Sequence, residues 1–350
     1  MAIFSQRKQT KRAGLQAARP SSGEAPDPTS PHKRSKTLWR RIRRILFVLA
    51  LFLVGLSLTG LLYQSIASMH DASSYPAPGR LIDVGGYSLH LYCTGTSRPG
   101  SPTVILDEGL AATSLGWSKV QPGVASFTRV CSYDRAGYGW SDTGPLPRTA
   151  GRMVTELHTL LTRAGIPGPY VLVGHSFGGL LMQLYTYTYP QQVAGLVLVE
   201  SMHEDQLRYP ELRAVALPSI ICQALGSSGI LRLLGFSNGN VAMYPPTVQS
   251  EAKAQFYQTR FCQTVSDESA AFDVSTAQVR AARHPLGRFP LIVLTRGTQV
   301  DATWQALQKD LASLSTNSKQ IIATRSDHQI QLKQPDLVIA AIKQVLTGKV

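Results

Sequence analysis

From Arg80 onward, short β-branched apolar runs closed by Gly, Asp or Ser alternate with longer stretches whose apolar residues recur at helical spacing. RLIDVGGYSLHLYCTG reads as two strands joined by a turn at Gly85-Gly86, and PTVILDEG, RVCSYDRAG, YVLVGHS, AGLVLVES, PLIVLTRG and KQIIATRSD as the next six. Between them, RTAGRMVTELHTLLTRAG and LLMQLYTYTYP carry the helical period. Strands interleaved with helices predict an α/β fold, a mainly parallel eight-stranded sheet with helices on both faces.

One interval breaks this rhythm. More than eighty residues separate LVLVES from PLIVLTRG, with no strong strand and with helix-like runs such as LPSIICQALG and TVQSEAKAQFYQTRFCQTV. They predict a helical cap over residues 203–288, inserted after the sixth strand, on a core formed by 80–202 and 289–350. A cap in that place covers the carboxyl ends of the strands, where open α/β sheets hold their ligands.

Ahead of the core lies a different pattern. Ile45–Tyr63 is an uncharged stretch with no polar face, of about the length at which a helix crosses a bilayer. WRRIRR immediately precedes it, so the helix is expected to run from the cytoplasm outward, with a linker over 64–79 and the core outside the cytoplasm. Ser65-Ile66-Ala67 offers small residues suited to signal cleavage, but the apolar run and the basic region before it are both long for a signal peptide, which favours an uncleaved anchor.

The formal net charge of +14 belongs mostly to the tail. Residues 1–44 hold twelve Lys and Arg against Glu24 and Asp27. This tail is rich in Ser, Pro and Gln, cannot bury enough apolar surface to offset ordering, and is expected to be a disordered cytoplasmic segment. The anchor accounts for the charge, and nucleic-acid binding is not expected. The four cysteines, Cys93, Cys131, Cys222 and Cys262, all follow the apolar run, where an oxidising compartment permits two disulfides. Cys222 and Cys262 both fall in the cap, so a bridge stapling it is expected. No spacing implies a metal or a cofactor.

Candidate chemistry centres on Gly174-His175-Ser176-Phe177-Gly178. This is G-x-S-x-G, entered by the strand YVLV and left by a helix, the setting in which a strained turn exposes a serine hydroxyl. A serine needs a base within hydrogen-bond reach and an acid to orient that base. Among the eight histidines, His328 alone lies in a loop between the last strand and a final helix, QPDLVIAAIKQVL, and is the expected base. Two acids are open: Glu200, ending LVLVE, and Asp301, beyond PLIVLTRG. Glu204 and Asp205 read as surface charges at the start of the cap, and Asp310 and Asp327 as solvated or capping residues.

With ILDEGL, YDRAGYGWSD, VGHSFGG, LVLVES and RSDH in this order over some 270 residues, the chain resembles the α/β-hydrolase superfamily. The resemblance implies an oxyanion hole from the backbone N–H groups of Leu110 and Phe177. It places the acid after the PLIVLTRG strand in most members, at Asp301, and at the end of the preceding strand in a subset, at Glu200; the longer spacing before Asp301 favours Glu200. Neighbouring strands in the superfamily's sheet order also imply a Cys93–Cys131 disulfide. Two departures stand out: Glu108 occupies the position where many members have His, and Asp327 the position where a glycine commonly precedes the catalytic histidine. Dehalogenases and epoxide hydrolases of the superfamily carry aspartate at the elbow, so Ser176 implies acyl transfer. The expectation is a membrane-anchored hydrolase of carboxylic esters, with an amidase, aminopeptidase or thioesterase, or a non-catalytic ligand-binding relative, as alternatives.

Overall fold

A computed structural model of the chain describes residues 31–96, 100–212, 218–236, 239–348 and 350. Eight strands form one sheet: β1 (Arg80–Asp83), β2 (Ser88–Thr94), β3 (Thr103–Asp107), β4 (Val130–Tyr133), β5 (Tyr170–His175), β6 (Val193–Val199), β7 (Leu291–Arg296) and β8 (Ser318–Ala323). Their spatial order is β1-β2-β4-β3-β5-β6-β7-β8, antiparallel at β1-β2 and β2-β4 and parallel elsewhere. All eight expected strands are present.

Twelve α-helices accompany them among the described residues. They are α1 (Pro31–Ser74), α2 (Gln121–Ala125), α3 (Ala150–Arg163), α4 (Phe177–Thr188), α5 (Ser219–Ser228), α6 (Ile230–Leu233), α7 (Pro246–Phe256), α8 (Thr259–Ala270), α9 (Phe272–Ala282), α10 (Ala302–Ala312), α11 (Ile330–Lys333) and α12 (Pro335–Leu346). The period-two alternation of the central strands sorts their residues into two cores. Ile105, Leu172, Leu196, Leu198 and Val293 face the side covered by α3 and α4, with Leu157, Leu160 and Leu181 fully buried there. Val104, Val171, Val173, Val197 and Leu294 face the other side, against Val338 and Ile342 of α12. Each such side chain withdrawn from water stabilises the fold by about 1.5–3 kcal/mol, so apolar packing holds helices on both faces of the sheet.

The insertion between β6 and β7 contains α5 to α9. Its last helix packs on α3 and α4, with Val279 buried in the first core, and so belongs to the helical layer over the sheet. Both expected disulfides are formed. Cys93 and Cys131 face each other across the β2-β4 pair with Cα atoms 4.0 Å apart. Cys222 and Cys262 join α5 to α8, with Cα atoms 5.1 Å apart.

The apolar run extends further than its sequence indicates. Residues 1–30 of the expected tail lie outside the described residues, while 31–44 are helical rather than disordered. At the other end the helix continues to Ser74, through most of the expected linker. Contacts separate the chain after Gly55, and within the body Leu56–Val350 the reason for the extension is visible. Gln64 is buried and donates to the Tyr257 carbonyl at 2.6 Å, and Asp71 pairs with Arg232 at 2.6 Å. These contacts hold a polar segment helical where its composition alone would not. Lys36–Ser74 is long and apolar enough to cross a membrane.

Candidate active site

The carboxyl ends of β3, β5, β6 and β7 and the loop after β8 deliver the side chains of the site to one edge of the sheet. Ser176 sits at the bend between β5 and α4, with φ 51° and ψ −119°, a left-handed conformation costly for a residue with a Cβ. The flanking glycines make the bend possible. A Cβ on Gly174 would come within 2.5 Å of the Gly178 carbonyl oxygen, and one on Gly178 within 2.5 Å of the Asp107 carbonyl oxygen. The bend is held by the Ser176 N–H donating to Val199 and by the Ser176 carbonyl accepting from Gly179 and Met202.

His328 arrives from the loop after β8, and its Nε2 lies 3.0 Å from Ser176 Oγ. The two residues are 152 positions apart in the chain. Burial pulls the His328 pKa down to about 3, with help from the charges of His175 and Arg296 and against Asp327. The imidazole is therefore neutral at pH 7 and able to accept the serine proton.

His175, next to Ser176 in the bend, has specific partners. Its Nδ1 donates to Glu108 Oε2 at 2.8 Å and its Nε2 to the His328 carbonyl at 2.9 Å. Burial opposes its charge, but the Glu108 carboxylate and both hydrogen bonds outweigh that and raise its pKa. Glu108 is in turn held by the Gly109 N–H and by Gln331 Nε2. The Glu108-Gly109 turn after β3 thus carries a buried ion pair whose imidazole also holds the His328 carbonyl.

Arg135 and Glu268 organise the other side of that loop. The Arg135 guanidinium donates twice to Glu268, once to Asp107, and to the carbonyls of Glu108 and Gly109 at 2.5 and 2.9 Å. Tyr138 Oη accepts from the Ala111 N–H and donates to Glu268. Every residue of 108–111 except Leu110 is fixed by one of these bonds, and a Cβ on Gly109 would lie 3.0 Å from Ser176 Cβ. Burial raises the Asp107 pKa to about 6 against the pull of Arg135. The neighbouring Asp134 pairs with His90 at 2.9 Å, so Asp134 and Arg135 stabilise the loop through different partners rather than through each other.

The two candidate acids stand in different surroundings. Glu200 follows β6 with φ 48°, fully buried. Its Oε2 accepts from the Arg296 N–H at 2.6 Å, while its Oε1 makes no hydrogen bond and has Arg296 Nε at 3.5 Å. Burial raises its pKa to about 7, moderated by Arg296. Asp301 caps α10, its Oδ1 accepting from the Trp304 N–H at 2.8 Å. Among the described residues neither carboxylate hydrogen-bonds His328. Asp327 pairs with Lys333 at 2.5 Å. Glu204, expected at the surface, is buried and paired with Arg283, which also holds Asp310 at 2.6 Å. Glu108, His175, Arg135 and Glu268 carry no local signal of their partnership, since the partners lie 26 to 133 positions apart for Arg135 and 67 apart for Glu108 and His175.

Among the described residues no cluster of His, Cys, Asp and Glu is arranged to hold a metal. Comparison with known proteins agrees with the fold. The chain is 26% identical to the Bacillus subtilis protein YqjL over 255 residues, covering 71% of itself and 85% of YqjL; it spans 19% and 56% of two other curated relatives. A thermophilic esterase from Thermogutta terrifontis superposes with a TM-score of 0.57 at 21% identity, covering 77% of this chain and 97% of the esterase. The Cif epoxide hydrolase from Acinetobacter nosocomialis superposes at 0.63 and 14% identity, with 82% and 96% covered. Residues 102–345, the sheet from β3 onward with its insertion, match the family described as alpha/beta hydrolase fold, and with a serine elbow set in that sheet the chain belongs to it.

Proposed function

We propose that this protein is a membrane-anchored serine hydrolase of carboxylic esters. The observation that carries the reading is Ser176, strained at its bend, within 3.0 Å of a neutral His328. Ser176 attacks the ester carbonyl while His328 takes its proton. The tetrahedral oxyanion is received by the N–H groups of Leu110 and Phe177, the latter at the positive end of α4. The alcohol leaves with the proton from His328, and water activated by the same imidazole releases the acid. Glu200 is the acid of this reading. When His328 accepts through Nε2 its proton sits on Nδ1, and the buried Oε1 of Glu200, which accepts no hydrogen bond, is the carboxylate oxygen this reading assigns to receive it. The cap role of Asp301 argues against its serving instead.

The anchor rests on α1, and orientation on the basic WRRIRR before the apolar run together with two disulfides after it, which suit an oxidising compartment. A fluorophosphonate probe and a series of p-nitrophenyl esters test the reading. Labelling and turnover by the full chain that vanish in Ser176→Ala support it; absence of both in the folded wild type overturns it. Turnover of aminoacyl amides in preference to esters would reassign the substrate to an amide on the same residues.

A further inference from the structure

The segment 218–236 of the insertion, PSIICQALGSSGILRLLGF, contains one charged residue, Arg232. That charge is taken up within the protein by Asp71, with Arg232 also stacked 4.8 Å over the Tyr257 ring. The apolar side chains around it are left open: Ile220 and Leu233 are 73% exposed, Leu234 62% and Phe236 59%. Scattered exposed leucines need no explanation, but four large apolar side chains left open in one short segment, on α5, α6 and the turn after them, do.

Its location supplies one. The same segment is fastened to the end of the apolar run. A Cβ on Gly60 would come within 2.5 Å of the Ser228 carbonyl oxygen, and one on Gly229 within 2.8 Å of Tyr63 Cδ1. Arg232 Nε donates to Gln64. Residues 60–64, where the apolar run ends, therefore stand beside α5 and α6. Leu58, Leu61 and Leu62 of the run are themselves exposed, so the two open apolar surfaces adjoin.

Behind this surface lies a cavity of about 310 Å³ lined by Gln64, Leu225, Leu231, Phe256, Phe261 and Ala111. Ala111 follows Leu110 directly. Its lining thus includes both Gln64, just past the apolar run, and the residue next to Leu110.

We propose that residues 218–236 are a second membrane contact, seated in the leaflet from which residues 56–63 emerge, and that the cavity behind them takes the acyl chain of a membrane-resident lipid ester. The occupant is the bilayer because the patch continues the apolar surface of the run and carries no unpaired charge. The membrane contact stands on geometry; the lipid ester rests on the hydrolase reading given above. An ester delivered this way enters laterally from the leaflet, with its carbonyl arriving at Ser176 and its chain remaining in the cavity.

The test uses the full chain in phosphatidylcholine vesicles. Leu233→Cys and Phe236→Cys are labelled with an environment-sensitive fluorophore, with Leu62→Cys as the reference within the apolar run. The expected result is quenching by shallow doxyl-labelled lipid comparable to the reference, and protection from aqueous iodide. Quenching by iodide and not by doxyl lipid overturns the contact, and so does protection from both, which would mean that a second copy covers the patch. For the lipid ester, Leu233→Asp/Leu234→Asp is expected to lower turnover of a vesicle-embedded acyl ester by roughly tenfold or more, from the loss of two leucines that the bilayer would otherwise take up, while water-soluble p-nitrophenyl acetate turns over as in wild type. Equal turnover of the embedded ester overturns the substrate class. Loss of all Ser176 reactivity in wild type, with the fluorescence as expected, removes the hydrolase and leaves the membrane contact.

Discussion

Arg135→Met is the sharpest perturbation the structure offers. The guanidinium makes five hydrogen bonds, to two buried carboxylates and two loop carbonyls. Methionine preserves much of the volume and none of the bonds, leaving Asp107 and Glu268 buried without their cation. Breaking a buried pair from one side costs about 3–5 kcal/mol. At about 2–4 °C per kcal/mol for a body of this size, the melting temperature falls by about 6–20 °C. The sign of the pH dependence follows from Asp107, whose carboxyl ordinarily titrates near 3.8 and here near 6. Between those values the unfolded chain has released a proton that the native state retains, so stability falls as pH rises through that window. Without Arg135 the Asp107 pKa moves higher and the window extends upward, making the loss larger at pH 8 than at pH 5. The rate effect has a separate origin. Freed carbonyls at Glu108 and Gly109 allow the loop that carries Leu110 to shift, and loss of one oxyanion donor costs about 10²–10³ in kcat. Arg135→Lys keeps the charge but cannot span five acceptors, and is expected to fall between. Thermal denaturation at pH 5 and 8, with fluorophosphonate labelling at a temperature where both proteins are folded, measures both effects. An Arg135→Met protein that melts within about 2 °C of wild type and labels at its rate would refute the clamp.

Three further outcomes follow from the same site. With His328 near 3 and Glu200 near 7, the acidic limb of kcat/KM is expected to follow Glu200, activity rising as its carboxylate ionises through pH 7; Glu200→Gln should lower kcat and remove that inflection, and an inflection left in place would assign it elsewhere. Glu108→Gln puts an amide N–H₂ where three donors now point and uncouples the buried His175 pair, so a loss of about 3 kcal/mol is expected in denaturant unfolding. Because the His175 pKa is raised, the loss is full below pH 6.5 and diminishes as pH rises through the folded value. Replacing Cys222 and Cys262 by serine is expected to cost about 2–4 kcal/mol through the freed loop, read as a lower unfolding midpoint in the absence of reductant, where the Cys93–Cys131 bridge stays intact in both proteins.

The sheet was legible because its strands are β-branched runs of four to seven residues closed by turn formers, and their alternation already encodes two buried faces. Ser176 and His328 were legible because the elbow needs glycines on both sides and the last loop has one histidine. Glu268 was not, since in an exposed helix a glutamate looks the same as one that ends 2.8 Å from an arginine 133 positions away. Glu204 read as a surface charge for the same reason. The helical course of residues 64–74 depends on Gln64 and Asp71 meeting the insertion, a contact between segments far apart in the chain that no local propensity reveals.

The disulfide between Cys222 and Cys262 ties α5 to α8, and α8 carries the glutamate that grips the arginine bound to the Glu108 and Gly109 carbonyls. Lifting α8 away would therefore take Glu268 from Arg135 and loosen the Glu108 and Gly109 carbonyls that Arg135 holds, so the insertion and the loop after β3 are mechanically linked.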